Sequence, residues 1–95
     1  MQKNKQGWDG FLELCLGISN KNELETLFDL FLTMEEKENL STRHEIVREL
    51  LQATKTQREI AKDLSVSIAK ITRGSNELKR MDPKLLKYLR KTLIK

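Results

Sequence analysis

The sequence predicts an all-α fold on three observations. Apolar residues recur at three- and four-residue spacing almost throughout. Helix start signals stand before the later periodic segments, and no stretch shows the strict alternation of a half-buried strand. Six helices follow in order. The first, about 4–18, carries Phe11, Leu12, Leu14, Cys15 and Ile18 on one stripe, and the six residues Met1 to Gln6 are expected to fray. The second, about 22–31, carries Leu24, Leu27, Phe28 and Phe31. The third, about 34–52, opens with Thr33-Met34-Glu35-Glu36, a capping-box string in which hydroxyl and carboxylate each satisfy an orphan backbone donor, and continues through Ile46, Val47, Leu50 and Leu51. Thr56-Gln57-Arg58-Glu59 repeats that signal before a fourth helix at about 57–64. A fifth spans about 68–80. Asp82-Pro83 starts the sixth, about 83–94, with a carboxylate cap and a proline at the first helical position, where no backbone N–H is needed.

At 95 residues the chain amounts to one modest domain with one core. Its hydrophobic fraction of 38% is low for a soluble domain of this size, so the core is thin or shared with a second chain. No apolar stretch is long enough to cross a membrane and no secretory signal is visible. One cysteine, Cys15, makes no internal disulfide, and with the single histidine, His44, it builds no Cys/His zinc cage. A reducing cytoplasm is the expected compartment. Charge is segregated: residues 1–42 hold 4 Lys/Arg against 8 Asp/Glu, and residues 43–95 hold 14 against 6. A basic half-chain suits a polyanionic partner, since phosphate neutralisation with counterion release drives most sequence-independent DNA affinity. A solvated basic face is the plain alternative.

The most specific local signal is the run from Gln57 to Thr72. Two short helices crossing steeply need apolar anchors on both, here Ile60 and Leu64 on the first and Ile68 and Ile71 on the second, with Val66 plugging the turn. Ala61 supplies a small side chain at the closest approach. Ser65-Val66-Ser67 gives a three-residue turn ending in an N-cap. This is helix-turn-helix spacing, and the alternative is an ordinary αα-corner. If the second helix enters the major groove, Ser67, Ile68, Ala69, Lys70 and Thr72 face base edges and phosphates, with Gln57 and Arg58 reaching in from the preceding helix. Lys62, Lys79 and Arg80 are candidate phosphate contacts or solvated charges.

These residues carry a resemblance. Leu32-Thr33, Glu36, Leu40, Thr42-Arg43, Ile46-Val47, Glu49-Leu50-Leu51, Gln57-Arg58-Glu59, Ile68-Ala69, Ile71-Thr72-Arg73-Gly74-Ser75-Asn76 and Leu78-Lys79, together with Trp8, resemble the tryptophan repressor family over essentially Trp8 to Lys95. The resemblance implies an intertwined homodimer with two helix-turn-helix heads that read palindromic double-stranded operator DNA, and L-tryptophan as corepressor. On that plan residues about 4–52 form the dimerisation core, about 57–80 the reading head, and about 83–94 a C-terminal core helix, all in one domain. Phe11, Leu14, Leu27, Phe28 and Phe31 would then be buried across a two-fold axis.

Position by position, Arg43 and Arg73 match the family's ligand-clamping arginines. Planar guanidiniums stack on both faces of an indole, and Arg73 also meets a carboxylate. Gly74, lacking a Cβ, lets the ligand approach the helix. Thr33 matches a position near the ligand, and the carbonyls of Leu30 and Leu32 from the partner subunit accept from its ammonium. Without the resemblance, Thr33 is a cap, the two arginines are phosphate contacts or surface ion pairs, and Gly74 is a mild weak point in a helix. Four positions depart from the family pattern. Glu77 stands where a small hydroxyl residue is usual near the ligand's ammonium. Ala61 and Lys70 replace polar DNA-facing residues, with Lys62 a compensating cation. Glu45 stands where a basic residue would hold phosphate. The N-terminal arm is also short.

The remaining residues read as structural: Trp8 as an interface or core anchor, Cys15 as a small buried hydrophobe, His44 as a helix surface residue, and Glu35-Glu36-Lys37-Glu38 as charge matched to a helix N-terminus. No combination of residues makes an active site, so the chain is expected not to be an enzyme and to need no metal or cofactor beyond the corepressor. A ligand-independent helix-turn-helix module of transposase type is the second reading, and a helical interaction protein without a DNA role is the third.

Overall fold

The computed structural model describes residues 2–94, with side chains from Lys5 to Ile94. Six helices follow one another: α1 Gln2–Leu16, α2 Lys21–Phe31, α3 Met34–Gln52, α4 Gln57–Leu64, α5 Ile68–Lys79 and α6 Pro83–Leu93. No strand occurs among the described residues, and no helix is long and apolar enough to cross a membrane.

The start signals work as the sequence requires. The backbone N–H of Thr33 donates to Glu36 Oε1 at 2.8 Å, and the N–H of Glu36 donates to Thr33 Oγ1 at 3.1 Å. Thr56 and Glu59 repeat the reciprocal pair at 2.8 and 3.1 Å. Asp82 accepts from the N–H of Lys84 at 3.2 Å ahead of Pro83. A further cap was not anticipated: Asn20 Oδ1 accepts from the N–H of Glu23 at 2.9 Å, and its amide donates back to the Glu23 carboxylate at 2.8 Å.

Two expectations for α1 are corrected. Helix begins at Gln2, so the start expected to fray is helical from there, while Met1 lies outside the described residues. Its end comes two residues early, at Leu16. The N–H of Ile18 turns to the Cys15 carbonyl at 3.2 Å, a tightened last turn after Gly17 that frees Asn20 to cap α2.

The chain divides into two compact units, one running to Glu36 and one from Lys37. In the first, Phe11 is the hub of an aromatic group. It stacks with Trp8 at 5.9 Å and Phe28 at 6.1 Å, and it meets Phe31 edge-on at 5.3 Å. Yet no described side chain of this unit is fully buried, and Trp8, Leu16 and Leu30 are largely exposed. Cys15 is half-buried rather than buried.

The second unit has the true core. Ile46 of α3, Ile60 and Ala61 of α4, and Ile71 of α5 are buried, with Leu50, Leu64 and Val66 packed around them. The most extensive helix pairing among the described residues is α4 with α5. Ile60 and Ile71 keep 1% and 0% of their surface, whereas Ile68 keeps 46%. The expected anchor role of Ile68 is therefore wrong: three residues before Ile71, it sits over the first turn of α5, beyond the reach of the core.

Candidate ligand cavity and nucleic-acid interface

The helix-turn-helix is built by its backbone. Ser65 ends α4 in the left-handed conformation, φ 56° and ψ 46°. For a residue with a Cβ this conformation costs roughly 1 kcal/mol. It is held by hydrogen bonds from the N–H groups of Ser65 to the Lys62 carbonyl at 3.2 Å and of Val66 to the Ala61 carbonyl at 3.0 Å. Val66 is thereby turned inward, and Ala61, 7% exposed, lies where the two helices meet. Ser67 then takes the N-cap backbone conformation of α5, but its side chain makes no capping hydrogen bond, against expectation. Only its carbonyl closes the turn, accepting from the N–H of Lys70 at 3.1 Å.

Arg58, Lys62, Ser67, Ile68, Ala69, Lys70, Thr72 and Lys79 are all exposed on this two-helix element, and Gln57 is half-buried. Two of the candidates touch each other: Thr72 Oγ1 donates to Gln57 Oε1 at 2.8 Å, tying the outer faces of α4 and α5. A second tie was not foreseen. Glu49 of α3 is the one buried charged residue among those described. Lys55, in the connection before α4, pairs with Glu49 at 2.5 Å and with Asp63 at 2.9 Å. The hydrogen bonds to Glu49 and Asp63 hold the Lys55 ammonium protonated far above its usual range. This lysine therefore links α3 to α4.

A cavity of about 780 Å³ is walled by α3, α5 and α6. Arg43, Arg73, Gly74 and Glu77 all line it. The size suits a small organic ligand. A Cβ on Gly74 would stand 3.2 Å from Ile46 Cγ2 and 3.4 Å from Leu50 Cδ1, so the approach this glycine permits is first that of α5 to α3. Glu77 pairs with Arg80 one turn on. His44, also on the wall, hydrogen-bonds Glu45 at 2.8 Å, and Arg48 reaches the same carboxylate at 3.1 Å. These two bonds, the histidine's first, hold the Glu45 carboxyl below its ordinary value. Already held by Arg48, Glu45 is tied to its own helix.

Leu30, Leu32 and Thr33 belong to the first unit, where the Thr33 side chain is engaged as a cap. The sequence does not reveal the contribution of α6, whose Tyr88, Leu89, Thr92 and Leu93 complete the lining, and Lys70, expected on the DNA side, lines the cavity too. The signal for α6 was present in its amphipathic pattern, which says that one face is covered but not what lies against it.

Similarity to known proteins places the chain in a family. The model of the family described as Trp repressor protein matches residues 6–93. The chain belongs to that family. Among Trp repressor relatives, a Trp operon repressor homolog of Chlamydia trachomatis serovar D is 44% identical over 91 residues, covering 96% of this chain and 97% of its own. One from Chlamydia caviae is 48% identical over 89 residues, covering 94% and 88%. One from Haemophilus influenzae strain Rd is 33% identical over 93 residues, covering 98% and 92%. The Trp repressor match takes in both units, so the α3, α5 and α6 residues of the cavity and the whole reading head lie inside it.

Proposed function

We propose that this chain is an L-tryptophan-dependent transcriptional repressor that binds palindromic operator DNA as a homodimer and controls genes of tryptophan biosynthesis or uptake. It is a regulatory protein of the cytoplasm rather than an enzyme. The observation that carries this reading is that Arg43 of α3 and Arg73 of α5 line one cavity that α5 of the helix-turn-helix helps to wall, in a chain of the Trp repressor family. A flat amino acid between the two guanidiniums contacts α3 and α5 at once, and so favours the head orientation in which α5 enters the groove. Only a difference in affinity between the two orientations shifts the population.

The dimer is supported by the first unit. Leu16 and Leu30 are 84% and 79% exposed, alongside Trp8, Leu14 and Met34, more apolar surface than a lone short chain is expected to leave in water. In helix-turn-helix dimers, of which the tryptophan repressor is itself a standard example, the heads read half-sites roughly 34 Å apart, one DNA turn. Leu30, Leu32 and Thr33 would then meet the ligand from the partner subunit.

The test is selection from a library of palindromic duplexes by the purified protein across an L-tryptophan titration at fixed salt. Enrichment of one palindrome that rises with L-tryptophan supports the proposal. Enrichment indifferent to L-tryptophan favours the ligand-independent module, and no salt-dependent binding at all favours a plain interaction protein.

A further inference from the structure

Lys70 occupies the first turn of α5 among the residues that face DNA, yet its side chain also lines the cavity with Arg43, Arg73 and Glu77. The lining thus carries two arginines, one lysine and one carboxylate, and that carboxylate is paired with Arg80, which is not part of the lining. Among the described residues, Arg43, Arg73 and Lys70 enter no ion pair, and His44 is occupied by Glu45. Three like charges around one cavity repel, and an anionic group between them relieves the repulsion. The three are not equivalent in chemistry. Guanidinium is planar and weakly hydrated and stacks on a ring, whereas ammonium is a compact point charge on a flexible stem.

We infer that Lys70 is a ligand-side residue, whose ammonium pairs with the carboxylate of the amino acid held between Arg43 and Arg73. This rests on the corepressor reading of the cavity. The guanidinium planes hold the ring, and Lys70, with Arg73, selects for a free carboxylate. Because Lys70 stands three residues after the Ser67 N-cap, the same contact fixes the start of the recognition helix whenever the ligand is bound.

The experiment is calorimetric titration of the full chain, without DNA, with L-tryptophan and with L-tryptophanamide, whose carboxylate is replaced by a neutral amide. Wild type, Lys70→Gln and Lys70→Arg are compared, with circular dichroism confirming that each is folded. Loss of a charge-assisted contact predicts that Lys70→Gln weakens L-tryptophan about tenfold or more. L-Tryptophanamide should bind all three proteins within about twofold, and Lys70→Arg should restore most of the L-tryptophan affinity. Equal L-tryptophan affinity of wild type and Lys70→Gln makes Lys70 a DNA contact only and overturns the inference while leaving the corepressor reading intact. An equal loss for both ligands also overturns it, because the carboxylate would not be what Lys70 senses. Wild-type protein that binds neither ligand overturns both readings together.

Discussion

Arg73 and Gly74 are neighbours on α5 with different duties. Arg73 is exposed, in no ion pair among the described residues, and on the cavity wall. On the proposed corepressor reading, replacing it by alanine removes a stacking plane and a carboxylate partner without touching the core. Arg73→Ala is therefore expected to abolish the response of DNA affinity to L-tryptophan while leaving binding to a non-operator duplex within about threefold, measured by anisotropy at fixed salt. Gly74 faces inward instead. A side chain there meets Ile46 and Leu50 from its first carbon, so Gly74→Val is expected to destabilise the chain by overpacking, about 1 to 3 kcal/mol in urea unfolding. A result near zero would show that α3 and α5 part at little cost.

At the scale of the element, caps separate helices that hold themselves from helices that are held. Thr56→Ala removes a hydroxyl that caps α4 and is expected to cost about 1 kcal/mol, whereas Ser67→Ala, at an N-cap whose side chain makes no such bond, should stay within about 0.5 kcal/mol. Glu59 adds a pH signature. Its bond from the Thr56 backbone holds the carboxyl below the ordinary value of 4.5. A depressed folded-state value means stabilisation that is present above the ordinary range and is lost as pH falls through the folded one. The stability advantage of wild type over Glu59→Gln should thus shrink as pH drops from about 7 to below about 4, and an advantage that persists in acid would contradict this origin.

Capping strings and three- and four-residue spacing placed the helices to within a few residues, because both are local in the chain. Ile68 was misread because the spacing shared by Ile68 and Ile71 marks a stripe without saying which turn of it reaches the core. Lys55 was invisible for a similar reason: its partners, Glu49 and Asp63, lie six and eight residues away on opposite sides of a connection whose path the pattern does not state. The α6 side of the cavity was missed on the same ground, since amphipathicity names a buried face but not the neighbour.

For the whole molecule, the contrast between the units is informative. From Lys37 onward the chain has its own buried core, whereas up to Glu36 an aromatic group stands with no fully buried side chain among the described residues. Sedimentation of the purified protein should give a dimer at micromolar concentration, and Leu30→Asp, on an exposed apolar position, should shift it toward monomer with loss of operator affinity. A monomer at every working concentration would remove the two-headed geometry. The most direct test of the proposed coupling is the affinity of one selected palindromic duplex, at fixed salt, with and without saturating L-tryptophan. The account predicts binding at least about tenfold tighter with the amino acid, and equal affinity in its presence and absence would contradict it.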